Sequence, residues 1–311
     1  MRMTESLRLG TRGSQLARVQ SGWIAENLRA LTGREVELIL IRAEGDDTTM
    51  PFSAATRPGI FVSTLRDALL AGEVDFIVHS FKDLPSGLVE GITLAAVPER
   101  EDWRDVLVSA SGASLAELPA GAVVGTSSPR RAARIRALRP DLVVEPIRGN
   151  VDTRLSKVAG GEFDATVLAA AGLNRLGRAD AITQFFTSEE MLPAPAQGAL
   201  AVECRTEDRE LLMLLCELNS QEARFLAIAE RAVLRGVNAS CTTAIGAHAT
   251  WEAGVLEVVA ELSHPSLDWH ERVSIAAPVE SAEMLNEAHQ LGMFAAGKLM
   301  ATELGSAIQA L

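Results

Sequence analysis

The feature that most constrains this 311-residue chain is a β/α alternation that runs twice along it. In the first hundred residues an apolar start at Leu7 to Gly10 is followed by an amphipathic stretch from Gln15 to Leu31 and a β-rich run from Glu35 to Ile41. A helical pattern from Phe61 to Ala71, stopped by Gly72, then precedes a buried-strand pattern from Asp75 to His79. After Pro98-Glu99-Arg100-Glu101-Asp102 the plan repeats: strand Ala122 to Gly125, helix Pro129 to Leu138, strand Leu142 to Val144, helix Val151 to Ala159, strand Ala165 to Leu168. Strands separated by amphipathic helices predict parallel sheets, and hence two α/β lobes. Gly10-Thr11-Arg12-Gly13-Ser14 and Gly125-Thr126-Ser127-Ser128-Pro129 echo each other, each closing a strand and opening a helix with small hydroxyl residues. Such residues favour helix N-termini in any fold, so the echo is not by itself evidence of a repeat.

Leu192-Pro193-Ala194-Pro195-Ala196-Gln197-Gly198 is a proline-rich connector, and the strand after it, Ala199 to Cys204, is expected to return to the first lobe across a hinge. From about Glu222 the pattern changes to a helix, three strand-like runs (Ala244 to Thr250, Val255 to Ser263, Glu271 to Ala277) and a final helix from Ser281 to about Glu303. That is a small α+β unit with an antiparallel sheet. The expected domains are 1–99 with 199–218, then 100–198, then 219–311. Glu44 to Gly59 is polar and broken by Pro51 and Pro58, the pattern of a long mobile loop.

A net charge of −12 opposes association with a polyanion, so no nucleic-acid partner is expected. The stretch Met1 to Arg12 has no apolar signal region, and no run approaches the roughly 18 apolar residues of a membrane span. A cytoplasmic protein with no membrane partner is the expectation. Three cysteines, Cys204, Cys216 and Cys241, without Cys-x-x-Cys or His-rich spacing, point to neither a disulfide framework nor a metal site.

Of the 29 basic residues only Lys82, Lys157 and Lys298 are lysines; the rest are arginines. Arginine grips carboxylates with a planar fork, although GC-rich coding would give the same bias. Position favours the fork. Arg12 follows the first strand, Arg130 and Arg131 open a helix behind Thr126-Ser127-Ser128, and Arg148 and Arg154 flank Gly149-Asn150-Val151. Ligands of open α/β sheets bind beyond such strand ends. Two like charges at a helix N-terminus oppose its dipole unless an anion joins them. Arg134, Arg136 and Arg139 read as a solvated helix face.

His79-Ser80-Phe81-Lys82-Asp83-Leu84-Pro85 follows the last strand of the first lobe. There Asp83 is either half of a surface ion pair with Lys82 or a proton donor and acceptor among cations, and local reading leaves both open. His79 reads as a satisfied strand-end histidine. Cys241, in Asn238-Ala239-Ser240-Cys241-Thr242-Thr243, is a small buried hydrophobe or an accessible thiol able to become a thiolate. The glycine-rich pieces match neither a Walker loop nor a dinucleotide fingerprint.

Taken in order, five of these motifs resemble the porphobilinogen deaminase (hydroxymethylbilane synthase) family: Gly10 to Ser14, His79 to Pro85, Gly125 to Arg131, Arg148 to Leu155, and Ala170 to Gly177. Leu192 to Gly198 and the Cys241 loop follow, so the resemblance covers essentially the whole chain. The sequence departs from the family pattern at Ala239-Ser240, at Ala244 and at Pro58-Gly59.

The resemblance implies two α/β lobes like type II periplasmic binding proteins, plus a small α+β C-terminal domain with a three-stranded antiparallel sheet. It implies a cytoplasmic monomeric transferase of tetrapyrrole biosynthesis that joins four porphobilinogen molecules head to tail, with loss of ammonia. The primer would be a dipyrromethane cofactor attached through a thioether to Cys241. By the same resemblance Asp83 is the acid/base, and Lys82, Asp83, Thr126, Ser127, Ser128, Arg130, Arg131 and Arg148 hold the cofactor. Arg12, Ser14, Arg148, Arg154, Arg175 and Gln197 meet substrate carboxylates, and the loop from Glu44 to Gly59 acts as a lid. A different class of function, a non-catalytic two-lobed binding protein for a small dicarboxylate, would use the same arginine-lined lobes.

Overall fold

The structure, a computed structural model, describes residues 6–41, 60–87, 89–239, 243–264 and 269–309. The chain forms two compact units, Met1–Arg100 with Ala199–Arg224, and Glu101–Gly198 with Phe225–Leu311. Chain segments 100–198 and 219–311, separated in the sequence reading, thus fall almost entirely within one compact unit. Strands and helices are numbered along the chain.

The first unit is built on β1 (Leu7–Thr11), α1 (Gln15–Thr32), β2 (Val36–Leu40), α2 (Ile60–Leu70), β3 (Phe76–Ser80), a single 3-10 turn at Phe81–Asp83, and β4 (Ile92–Ala96). It is completed by β10 (Leu200–Arg205) and α6 (Arg209–Cys216). The strand order is β2-β1-β3-β10-β4. β1 runs parallel to β2 and β3, as the alternation predicts, but β10 is antiparallel to both β3 and β4. The sheet is therefore mixed rather than parallel. The returning strand comes from far along the chain and free of any crossover helix, so nothing forces its direction to match. α1 starts because Ser14 caps it, its hydroxyl accepting from the Ala17 N–H, and stops where Gly33 takes a left-handed φ of 68°. Ile24, Ala25 and Leu28 on its inner face join Leu7, Leu9, Phe76 and Val78 in one core. The opposite face of the sheet packs Ile77 against Leu65 and Leu69 of α2.

The second unit repeats the plan with β5 (Asp105–Ser109), β6 (Val123–Gly125), α3 (Pro129–Leu138), β7 (Val143–Glu145), α4 (Val151–Ala159), β8 (Ala165–Ala169), α5 (Ala170–Arg175) and β9 (Gln184–Phe185). Its order is β7-β6-β8-β5-β9, with β6 parallel to β7 and β8, and β5 antiparallel to β8 and β9. Side chains alternate along β5: Leu107 faces the core under α3, while Val106 and Val108 face the core under α4. Helices α3 and α4 match the sequence reading to the residue. Strands β4, β5 and β9 are additions to it.

The rest of that unit comprises α7 (Gln221–Gly236), β11 (Ala244–Glu252), β12 (Val255–Ser263), β13 (His270–Pro278), α8 (Leu285–Met300) and α9 (Glu303–Gln309). The three strands form an antiparallel sheet in the order β11-β12-β13. Ala253 and Gly254, both at positive φ, make the two-residue turn between the first two. Helix α8 lies so close to α7 that a Cβ at Gly292 would collide with the Ala229 carbonyl. The single final helix expected from Ser281 to Glu303 is instead two, divided at Ala301–Thr302, where the Thr302 hydroxyl accepts from the Gly305 N–H. No helix among the described residues is long and apolar enough to cross a membrane.

Candidate active site

The expected site residues divide between the two units. In the first unit Arg12 directly follows β1, half-buried, and Ser14 caps α1. Lys82 and Asp83 sit on the 3-10 turn after β3, Lys82 half-buried and Asp83 exposed. Buried Phe81 anchors this turn, and its N–H donates to the Ala199 carbonyl at 3.0 Å. Asp83 is thus a carboxylate on a fixed backbone, open to whatever approaches the end of the sheet.

In the second unit Thr126 is buried at the end of β6, and its hydroxyl accepts from the Ser128 N–H at 3.2 Å. Ser127 donates its hydroxyl to the Ile147 carbonyl at 2.7 Å, and Ser128 caps α3. Ser14 and Ser128 therefore do the same work at the start of α1 and of α3, which explains the sequence echo. Asn150 caps α4 in turn, through the Thr153 N–H.

Arg130 and Arg131 are buried, and the anion their position calls for is supplied by the chain. Asp105, with no exposed surface, accepts from Arg130 Nη1 at 2.6 Å on one oxygen and from Arg131 Nη2 and Nε at 2.7 and 3.0 Å on the other. Gln197, also fully buried, donates Nε2 to the same carboxylate at 3.0 Å and to the Trp103 carbonyl at 2.8 Å. Arg130 also reaches the Leu192 carbonyl and Arg131 the Val167 carbonyl. Burial alone would raise the Asp105 pKa, but the charges of Arg130 and Arg131, then hydrogen bonds from Arg130 and Gln197, hold it far below the ordinary value. Sequence reasoning missed Asp105. Its signal was an acid opening the wholly apolar run Val106-Leu107-Val108, where a charge survives only if paired.

Arg148 is exposed in the loop between β7 and α4. Arg154 donates Nε to the Gly149 carbonyl at 2.9 Å, and Arg175 donates Nη2 to the Gly198 carbonyl at 2.7 Å. Neither forms an ion pair with a described residue. Burial lowers the Arg154 pKa, with Arg131 pushing the same way; burial lowers that of Arg175 to about 10 against an opposing pull from Glu101. Two guanidiniums are thus held desolvated with no carboxylate in ion-pair contact among the described residues, an arrangement that an acidic ligand would relieve. Arg134 corrects the expectation of a solvated face: it is buried, donates to the carbonyls of Glu189 and Glu190, and lies 3.5 Å from Glu261. Arg139 binds Asp141 and three carbonyls, and only Arg136 is exposed. Cys241 and the segment from Glu44 to Gly59 lie outside the described residues.

Residues 7–213 match the family described as porphobilinogen deaminase, dipyromethane cofactor binding domain. The chain is 53% identical over 251 residues to the porphobilinogen deaminase of Thermobifida fusca, covering 80% of this chain and 78% of that one. It is 45% identical over 305 residues to the porphobilinogen deaminase of Corynebacterium diphtheriae, covering 96% and 100%. Among solved structures, a periplasmic substrate-binding protein from Coxiella burnetii superposes with a TM-score of 0.42 at 16% identity, over 69% of this chain and 92% of that one. With its match running through both lobes and its relatives nearly half identical along the whole length, this chain belongs to the porphobilinogen deaminase family.

Proposed function

We propose that this chain is a hydroxymethylbilane synthase, a transferase that joins four porphobilinogen molecules head to tail, with loss of ammonia, on a dipyrromethane primer. Beyond family membership, the observation that carries this reading is the pair of desolvated arginines Arg154 and Arg175, neither in ion-pair contact with a carboxylate of the described residues. Porphobilinogen carries an acetate and a propionate, and each carboxylate removed from water needs such a partner. The dipyrromethane, bound through Cys241, supplies the pyrrole end that is extended. Lys82, Thr126, Ser127, Ser128, Arg130, Arg131 and Arg148 are the residues we assign to that group. Arg12, Ser14, Arg148, Arg154, Arg175 and Gln197 are assigned to incoming substrate.

In this reading the Asp83 carboxyl gives a proton to the aminomethyl nitrogen of porphobilinogen, which leaves as ammonia. The carboxylate left behind then faces the positive charge that develops on the pyrrole nitrogen. The exposure of Asp83 on a short anchored turn suits a group that must meet a substrate. Gln197 donates to Asp105 and so helps to fix the carboxylate that holds the two buried arginines. The Glu44 to Gly59 segment is assigned as a lid that excludes water. The domain division 1–99 with 199–218, 100–198 and 219–311, a monomeric state, a cytoplasmic location and the lack of a nucleic-acid partner belong to the same proposal. Family membership does not favour the alternative, a non-catalytic dicarboxylate-binding protein.

The test is an intact mass under denaturing conditions, followed by incubation with porphobilinogen. An excess of two porphobilinogen units less two ammonias, mapped to Cys241, with ammonia release on incubation, is the expected result. A protein that gains no mass and releases no ammonia would return the binding-protein reading.

A further inference from the structure

We infer that His79 is a positioning residue for the turn that carries Asp83, locked by a buried clamp of Glu203 and Arg66. The inference rests on the acid/base role proposed for Asp83. Three elements contribute: Arg66 from α2, His79 from β3 and Glu203 from β10, with side-chain exposures of 10%, 5% and 5%. Arg66 grips both carboxylate oxygens, Nε to Oε2 at 2.9 Å and Nη2 to Oε1 at 2.6 Å. His79 Nε2 lies 3.5 Å from the same Oε2, close to it but making no hydrogen bond, so the ring nitrogen is not the satisfied one that the sequence reading expected.

The register explains the meeting. β10 runs antiparallel to β3 with Ala201 opposite His79 and Glu203 opposite Ile77, so His79 and Glu203 are diagonal neighbours on one face of the sheet. That is the face Ile77 turns towards α2. The next residue, Ser80, points to the other face and is held by buried Gln20 of α1, whose Nε2 donates to its hydroxyl at 3.0 Å. The last two residues of β3 are therefore gripped from both sides immediately before Phe81, Lys82 and Asp83.

A buried ion pair with a histidine against it is an unusual choice if holding α2 on the sheet were all that was needed. Apolar side chains of similar volume do that as well or better. What the charged set adds is direction: a two-pronged fork fixes the carboxylate plane, and the imidazole packs against that fixed carboxylate, its buried Nε2 having Oε2 as its near polar neighbour. Burial would raise the Glu203 pKa, but the Arg66 fork, with the His79 ring beside it, holds it at about 2, so the acceptor stays ionised. A helix, two strands and the turn are thus keyed to one point.

The test uses the full-length, cofactor-loaded protein. His79→Leu fills the space without a ring nitrogen, whereas His79→Gln restores an N–H donor near the Nε2 position. The expected result is that His79→Leu lowers kcat per loaded molecule about tenfold or more, with KM changed by less than about twofold, and that His79→Gln recovers most of the loss. Amide exchange of the peptide spanning Ser80 to Leu84 should quicken in His79→Leu, while peptides of β12 keep their protection. In an Asp83→Glu background, His79→Leu should cost little more, because both changes act on the same group. Wild-type kcat and exchange in His79→Leu, an equal loss in His79→Gln, or full additivity with Asp83→Glu would overturn the inference. The acid/base reading itself fails by a different sign: near-normal turnover in Asp83→Ala.

Discussion

Arg131 holds one oxygen of Asp105 through both Nη2 and Nε, at 2.7 and 3.0 Å, in a place where the acid has no exposed surface. The other oxygen belongs to Arg130. The two positive charges that open α3 are therefore balanced from inside the protein, by the first residue of β5, and the net charge of the trio is one positive. That residual charge is what an acidic ligand would meet at the helix start, where backbone N–H groups add to the attraction.

Removing Asp105 leaves two buried guanidiniums without their anion. Asp105→Asn keeps the size and one acceptor oxygen but loses the charge. Breaking a buried ion pair from one side costs on the order of 3–5 kcal/mol. The expected outcome is a lower urea midpoint for the second unit, with the first unit's transition in place. An unchanged midpoint would show that the arginines do not depend on this acid.

Arg175 should behave in the opposite way. Its burial disfavours the charged form, to a pKa of about 10, and the opposing pull of Glu101, which forms no ion pair with it, offsets only part of that cost. Arg175→Gln should leave the unfolding midpoint level or raise it, because a desolvated charge is removed. Substrate binding should weaken by about tenfold or more, since a hydrogen bond to a charged group contributes about 1.5–3 kcal/mol. A fall in stability with unchanged KM would assign the residue to the fold rather than to a ligand.

Much of this architecture was legible from the sequence, and the gaps have physical causes. Helices α3 and α4 were readable to the residue because Ser128 and Asn150 are strong caps, although only α4 buries an apolar face and α3 buries Arg130, Arg131 and Arg134 beside Ile135. β5 was not readable: Asp105-Val106-Leu107-Val108-Ser109 is buried on both faces, so it carries no alternation. The antiparallel sense of β10 depends on where the chain returns, which no local pattern encodes. Arginines beyond strand ends were visible, but their partners were not. Arg130, Arg131 and Arg134 look alike in sequence, and only the fold shows that Asp105 takes the first two while carbonyls of Glu189 and Glu190 take the third. The Glu203–Arg66 pair joins residues 137 positions apart and left no trace in either segment alone.

Acid sensitivity follows from Glu203. Its pKa is about 2 in the fold against an ordinary 4.5, lowered by Arg66 and His79 despite burial. A depressed carboxylate contributes stability that is fully present above about pH 4.5 and is lost as pH falls towards 2. That contribution is on the order of 3 kcal/mol. Urea midpoints should therefore decline from pH 5 downwards in the wild type. Glu203→Gln, already lacking that contribution, should start lower and decline less steeply. Parallel curves would show that the carboxylate is not the titrating group.

Cofactor attachment and turnover should separate cleanly between two residues. Cys241→Ser replaces the thiolate proposed to carry the primer by a far weaker nucleophile, so the purified protein should show the unmodified mass and no ammonia release from porphobilinogen. Asp83→Ala leaves Cys241 and the arginines in place. It should retain the mass of the primer yet turn over at least about a hundredfold more slowly, the low end of what a positioned acid/base contributes. Native mass spectra of that variant should show intermediates with few added pyrroles, because each addition draws on the same proton donor. A Cys241→Ser protein that still carries pyrrole would move the attachment to another residue, and an Asp83→Ala protein with ordinary turnover would move the proton transfer elsewhere.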